Sequence, residues 1–385
     1  MNSKDVLELK RRLTKDNATF TRISGCYVDG DKNKIAIFND NFLNLNDEVF
    51  FKYLEMAKKV FSGKIGNNIL NLPFKSNYSE EKQFLFGLRD SKLKNDELLD
   101  VLYDNIIENY DYAGNFLIVV FHDAYDVMTK TSDNAKLDES EEVYEYLLCA
   151  ICPVNLSKPA LGYLTEENRI DARIRDWVVG APDTGFVFPT FTDRTTDADN
   201  VMFYTKNAKE PHMELAESVL GATAKMTHTE KKIAFEEIVE NVLGDEDEDT
   251  LGKLEVKLNE RAEEDVETEH KLSPTLTSDD VVELLTECGV DAVSADAIKK
   301  QFDDTFKDDL PSSPHLVDSK TIEKEELKNA LIEKINNTSY TSDVNIVVSK
   351  ELKEQVETRE IDSKKYILIP IDENTKVNID IVNIG

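Results

Sequence analysis

Phe121-His122-Asp123-Ala124-Tyr125-Asp126 places an imidazole and two carboxylates directly after an apolar run, Phe116 to Phe121. Strand ends are where loops present catalytic groups, and adjacent His-Asp pairs hold divalent metals in some phosphohydrolases. Such a centre needs further ligands. The remaining histidines, His212, His228, His270 and His315, stand beside no second Asp at a recognisable ligand spacing. The residues therefore favour a polar strand-to-loop exit, with Asp126 capping a turn, over a His122–Asp123–Asp126 hydrolase centre. No catalytic residue, metal or cofactor is expected.

Cys149 and Cys152 form a C-x-x-C, which serves elsewhere as half a zinc site or as a redox pair. Cys26 and Cys288 stand alone and supply no second ligand pair. The motif lies within an apolar, strand-like run, where an offset of three sends the two thiols to opposite faces. Buried structural thiols are the expectation.

Arg169, Arg173, Arg175, Asp176, Trp177, Asp183, Asp193 and Arg194 gather four of the ten arginines and the only tryptophan. Arginine recognises carboxylates and phosphates bidentately, and Trp with Arg is enriched where partners bind. Arg173, Arg175 and Trp177 are spaced i, i+2, i+4, so an extended chain puts all three on one side. On a helix they would fan out over about 200°. Arg169, Arg173, Arg175, Trp177 and Arg194 are thus the candidate partner-binding surface. The structural alternative is an internal network in which Arg175–Asp176 or Asp193–Arg194 fix loops. Gly162, Gly180 and Gly185 match neither a Walker loop nor a dinucleotide fingerprint, and no G-x-S-x-G elbow occurs. Asp29, Asp31 and Asn33 begin like a calcium loop, but Lys34 stands where its glycine belongs and Asp40 where its last Glu belongs.

These residues need elements to position them. Strands are predicted at Thr19 to Val28, Lys34 to Phe38, Phe116 to Phe121, Val143 to Val154, Thr184 to Thr192 and Val201 to Thr205. Helices are predicted at Asp47 to Phe61 and Asn95 to Glu108. A third begins at the Thr227/Glu230 capping box and ends at Gly244. Helices at Asp279 to Cys288 and from an N-cap at Ser294 follow, with Asp245 to Lys271 as a flexible or exposed connection. A small β-module closes the chain (Val344 to Val348, Tyr366 to Ile369, Val377 to Ile381), preceded by a helix at Lys324 to Ile335. Strands separated by loops or single helices imply an α+β fold with a largely antiparallel sheet. The expected division is an α+β amino-terminal domain (1–226), an acidic helical segment (227–312) and a small α/β carboxy-terminal module (313–385).

The 385 residues carry 77 acids against 46 bases, a formal charge of −31. Residues 230–309 hold 26 of those acids and 9 of the bases, so about a fifth of the chain holds over half of the excess. So negative a field repels nucleic acid and anionic membranes, which are bound through Lys and Arg. The polar start, Met1 to Lys15, reads as neither signal peptide nor membrane anchor, and four scattered cysteines fit a reducing compartment. A cytoplasmic location is the expectation.

Several segments together resemble a bacterial family that carries the domain-of-unknown-function number 4317. They are Ile23-Ser-Gly-Cys-Tyr-Val28, Leu88-Arg-Asp-Ser-Lys-Leu93, Glu108-Asn-Tyr-Asp-Tyr112 and Phe121-His-Asp-Ala-Tyr-Asp-Val127, with the block from Tyr144 through Cys149 to Lys158, continuing to Arg173 to Trp177 and Gly185 to Pro189. The resemblance implies kinship over most of the chain and brings no activity, cofactor or catalytic residue. The leading expectation is a non-enzymatic interaction protein with a protein partner, the acidic segment offering a second contact for a basic surface or a solvating spacer. A metal-dependent phosphohydrolase using His122, Asp123 and Asp126 is the first alternative. A nucleic-acid-associated protein is the second, since Val344 to Ile371 is faintly similar to the terminal β-module of nucleoid-associated proteins.

Overall fold

The computed structural model describes residues 1–317, apart from 77, 131–135, 245–247 and 268–274, and the strands at 357–361 and 364–368. Two compact units result, Met1–Glu325 and Glu326–Gly385. In chain order the first unit starts with helix α1 (Ser3–Arg12), strands β1 (Phe20–Val28) and β2 (Lys34–Asn41), helix α2 (Asp47–Val60) and strand β3 (Ile69–Pro73). Helices α3 (Glu80–Asp90) and α4 (Asp96–Asn109) lead into the long strands β4 (Asn115–Lys130) and β5 (Lys136–Leu156). Short strands follow: β6 (Leu161–Leu164), β7 (Arg169–Ala172), β8 (Trp177–Val179), β9 (Thr184–Phe188), β10 (Thr190–Thr192), β11 (Thr195–Asp197) and β12 (Asn200–Thr205). Helices α5 (Met213–Ser218), α6 (His228–Leu243), α7 (Glu248–Glu267), α8 (Ser278–Glu287), α9 (Ala292–Phe306) and α10 (Ser313–Leu316) come next. In the second unit β13 (Glu357–Ile361) pairs antiparallel with β14 (Lys364–Leu368), which covers most of the expected strand at Tyr366 to Ile369. The helix expected at Lys324 to Ile335 and the strands at Val344 to Val348 and Val377 to Ile381 lie outside the described residues.

The α+β reading holds. An eight-stranded antiparallel sheet runs in the order β2-β1-β4-β5-β9-β12-β3, with β8 paired to the end of β5. Helices cover both of its sides. Ile118, Val120, Cys149 and Ile151 face a core closed by Leu85, Leu102 and Leu215 of α3, α4 and α5. Leu117, Val119, Phe121 and Leu148 face a second core closed by Leu9 of α1 and Leu54 and Ala57 of α2. A strand covered twice needs apolar residues at every position, which is why Phe116 to Phe121 is an uninterrupted run.

A third core holds the acidic segment together. Phe235, Leu254, Leu284, Ile298 and Phe302 of α6 to α9 share it with Leu316 of α10. The Thr227/Glu230 capping box forms as its sequence predicts, and Gly244 ends α6. Two expectations fail here. The cap of α9 is Asp291, whose carboxylate accepts from the amides of Val293 and Ser294, so Ser294 sits inside the first turn. Most of Asp245 to Lys271 is helix α7 rather than an exposed connection. Leu251, Leu254 and Leu258 recur at i, i+3, i+7, and the last two are buried in the third core.

Truncating that stripe tests the correction. Leu258→Ala is expected to cost about 2–5 kcal/mol, as for other buried leucines. An exposed linker leucine would cost under about 0.5 kcal/mol. Urea unfolding of the full chain distinguishes the two.

Candidate functional site

The first candidate constellation is dispersed. β4 does not end at Phe121 but pairs with β5 as far as Lys130, so His122, Asp123 and Asp126 lie within a strand rather than in the expected loop. Alternation then turns His122 and Asp123 to opposite faces of the sheet. His122 is buried, with Nδ1 2.6 Å from the Thr21 hydroxyl and Nε2 3.0 Å from a Glu145 carboxylate oxygen. Burial lowers its pKa, outweighing the pull of Glu145 in the other direction. Asp123 is also buried, accepting hydrogen bonds from Thr19 (2.6 Å) and Tyr146 (2.7 Å), with the Arg12 guanidinium at 3.4 Å. That guanidinium lies 3.5 Å over the ring of Tyr125. Asp126 lines a cleft of about 810 Å³ beneath α1, together with Arg12, Tyr125 and Arg194. Among the described residues no three His, Cys, Asp or Glu side chains are grouped to hold a metal ion.

Cys149 and Cys152 do face opposite cores, as their odd offset requires. Burial raises both thiols, Cys152 to about 12. Neither has thiolate character.

The arginine block divides into two places. Arg194 sits in the β10–β11 turn, donates to both Glu8 carboxylate oxygens (2.5 and 2.6 Å) and donates to the Met128 carbonyl at 2.6 Å. It fastens α1 to β4, an internal role, and Met128 marks the far end of the β4–β5 ladder from Trp177. Arg194 therefore leaves the proposed surface. The internal alternative is met at one of its two places: Asp193 accepts from Asn2 Nδ2 at 3.1 Å while Arg194 holds Glu8, so the two residues fix the β10–β11 turn to α1.

Arg169, Arg173, Arg175 and Trp177 lie together on an arm. β4 stops pairing with β5 at Asn115 opposite Val154, and on the other edge of β5 β8 follows on from β9, with Val154 opposite Val179 and Leu156 opposite Trp177. The same offset continues outward. The Ser157 amide donates to the Asp176 carbonyl (2.8 Å) and the Arg173 amide to the Ala160 carbonyl (2.9 Å). β6 and β7 then pair from Leu161 opposite Ala172 to Leu164 opposite Arg169. Pro159 has no amide to donate, which explains the break in the ladder between β5 and β6. From Val154 to Leu164 this two-stranded ribbon extends about 30 Å at roughly 3.3 Å per residue.

Its two faces differ in chemistry. Within β6 and β7 cross-strand partners share a face, so Arg169 and Asp171 stand on one side with Gly162 and Leu164, while Trp177 pairs with Leu156 nearer the sheet. A Cβ placed on Gly162 would lie 3.6 Å from the Cβ of Arg173, which confirms that Arg173 leans over that side. Arg169 is held by Glu167 and Asp171, Arg175 donates through Nε to the Ser157 carbonyl, and Arg173 has no side-chain partner among the described residues. Trp177 is 54% exposed. The opposite side of β6 and β7 carries Leu161, Tyr163 and Ile170, all exposed, and Ile174 and Val178 nearer the sheet are exposed as well. Residues 173–176 lie between β7 and β8 outside any strand, so the i, i+2, i+4 spacing of Arg173, Arg175 and Trp177 does not by itself put them on one side.

Two histidine sites set the pH response. His228 at the start of α6 stacks on His315 with ring centroids 3.3 Å apart, and burial followed by its neighbour's charge lowers its pKa to about 4. His212 lies 3.5 Å from Asp183, whose hydrogen bond raises its pKa and is itself held low by His212.

Asp123→Ala strands the Tyr146 hydroxyl and the Arg12 guanidinium, and a loss of about 3 kcal/mol or more is expected in denaturant unfolding. The His228 site predicts acid lability. Below pH 6.5 the unfolded chain takes up a proton that native His228 refuses until about pH 4, so stability falls across that window. His212 acts in the opposite sense, its contribution being present in acid and fading as pH rises through its elevated pKa. Melting temperatures measured from neutral to acid pH should decline, and His228→Gln should flatten the decline. An unaltered slope in that variant removes His228 as the source.

Among the described residues no helix is long and apolar enough to cross a membrane. No curated protein and no solved structure matches the chain. A family model described as Domain of unknown function (DUF4317) matches residues 1–379, covering both the ribbon and the two cores that anchor it, and the chain belongs to that family.

Proposed function

We propose that this chain is a cytoplasmic, non-enzymatic interaction protein that grips an acidic surface of a protein partner with the arginines and tryptophan of its ribbon. The observation that carries the reading is an exposed Trp177, two and four residues along the chain from Arg175 and Arg173, on an arm that leaves the core. Folding makes no demand for a half-exposed tryptophan there, whereas partner surfaces concentrate binding energy in Trp and Arg. Arg173 offers a complete guanidinium fork, and Arg175 keeps its terminal nitrogens, for bidentate contact with carboxylates. In a chain of net charge −31 the stretch from Arg169 to Arg175 is a local inversion of sign, which steers acidic surfaces toward it.

Exposed arginines contribute only about 0–1 kcal/mol to folding, so Arg173→Ala with Arg175→Ala should barely change the melting temperature. The immobilised full chain, incubated with extract of its own cells, should retain an acidic protein. The double variant and Trp177→Ala should each bind that protein at least about 30-fold more weakly, the scale of losing one hot spot. Equal retention by wild type and variants, or unfolding of the double variant, sinks the reading. Retention of nucleic acid in place of protein favours the nucleic-acid alternative. One bound transition metal per chain, with phosphate-ester hydrolysis abolished by Asp123→Asn, favours the hydrolase.

A further inference from the structure

The helical bundle of α6 to α10 is joined to the sheet by a polar joint. Its core, the third, shares no residue with the two cores of the sheet. At the start of α6 hydrogen bonds cross between the two. The His228 amide donates to the Gly66 carbonyl (2.8 Å), the Thr229 amide and hydroxyl to Asn67 Oδ1 (both 2.9 Å), and the Thr227 hydroxyl to the Ala208 carbonyl (2.6 Å). The His228 ring lies within this joint, stacked on His315 of α10 with centroids 3.3 Å apart. It also fills the space beside Gly66, where a Cβ would lie 2.0 Å from its Cε1. We propose that the stacked His228–His315 pair is a proton-operated latch: one added proton releases the start of α6 from the turn ahead of β3 and from α10, while sheet and bundle keep their cores.

The surroundings of the rings make the latch. The charged groups that face the pair are Lys231, one turn along α6, and Asp309, ahead of α10. Asp309 is committed elsewhere: Oδ1 accepts from Lys231 Nζ at 2.6 Å and Oδ2 from the Met226 amide at 2.9 Å. Among the described residues, α7 and the turn at Gly66 direct no charge at the pair. The Ser312 hydroxyl, 2.8 Å from His315 Nδ1, is the one protein group among them that hydrogen-bonds either ring. An imidazolium at His228 would therefore hold two N–H donors without a protein acceptor, beside the Lys231 ammonium and against a second ring. Release into water supplies both acceptors. The neutral pair carries no such penalty, and burial with the neighbouring charges keeps His228 neutral down to about pH 4. The latch goes beyond a general loss of stability in acid, because the joint yields before either core does.

Amide hydrogen exchange of the full chain, corrected for the intrinsic effect of pH, tests the latch segment by segment. With the closed ring titrating at about 4 and the released ring at 6.5, the opening constant should rise about 20-fold from pH 7 to pH 5. Segments 64–69, 226–231 and 312–317 should lose protection by about that factor, while β4, β5, α8 and α9 keep theirs. His228→Phe with His315→Phe retains two rings without a site for the proton, and its joint should be equally protected at both pH values. Gly66→Ala drives a methyl group into the ring's place and should open the joint at pH 7, with little further change at pH 5. Equal loss of protection in the joint and the cores makes the opening global and overturns the proposal. A wild-type joint indifferent to pH overturns it too, as does a pH response that survives in the double phenylalanine variant. Where that variant does not fold at pH 7, Gly66→Ala decides: a joint that stays closed at pH 7 and still opens at pH 5 rejects the latch.

Discussion

The antiparallel ladder between β4 and β5, from Asn115 opposite Val154 to Lys130 opposite Lys136, determines where the other groups of the first unit lie. Each step along it sends one side chain to the α3–α4–α5 core and the next to the α1–α2 core. That alternation separates Cys149 from Cys152 and His122 from Asp123, groups adjacent or nearly so in sequence. It also dictates their chemistry. Thiols buried on opposite faces can neither share a metal nor form a disulfide, and an imidazole and carboxylate turned apart cannot chelate one ion.

Polar groups buried against this ladder are compensated locally. Asp123 is met by Thr19, Tyr146 and Arg12, while Glu8 is met by Arg194 and by the Tyr125 hydroxyl at 2.8 Å. Both clusters fasten α1, a helix with few buried apolar residues of its own, to the strands beneath it. An unpaired carboxylate in either place would carry a desolvation cost that the short helix could not offset. Asp123, one of the three residues that looked like a catalytic centre, therefore holds the amino-terminal helix in position, while His122 bonds Thr21 and Glu145.

The ribbon is what remains when one strand outruns its sheet. β5 continues past the last residue paired with β4 and leads on to β6, and among the described residues β7 and β8 form the return path. There β6 and β7 stay largely exposed on both sides, one carrying Arg169 and Asp171 and the other Leu161, Tyr163 and Ile170.

Much of this architecture was legible along the chain. The apolar run Phe116 to Phe121, the helices α2, α4 and α6, the capping box of α6 and the opposed C-x-x-C thiols all follow from local sequence signals. Local periodicity failed where a second signal masked it. The acidic run ahead of α7 hid the Leu251–Leu254–Leu258 stripe, and α1 and α3 bury too few apolar residues to stand out. The extension of β4 beyond Phe121, the removal of Arg194 to the α1 cleft and the pairing of β5 with β8 and of β6 with β7 depend on which segments apart in the chain come together. Sequence by itself determined which residues of one strand or helix share a side, because backbone geometry repeats every two or 3.6 residues. Tertiary structure alone decided which sides are covered, because coverage depends on contacts between segments far apart in the chain.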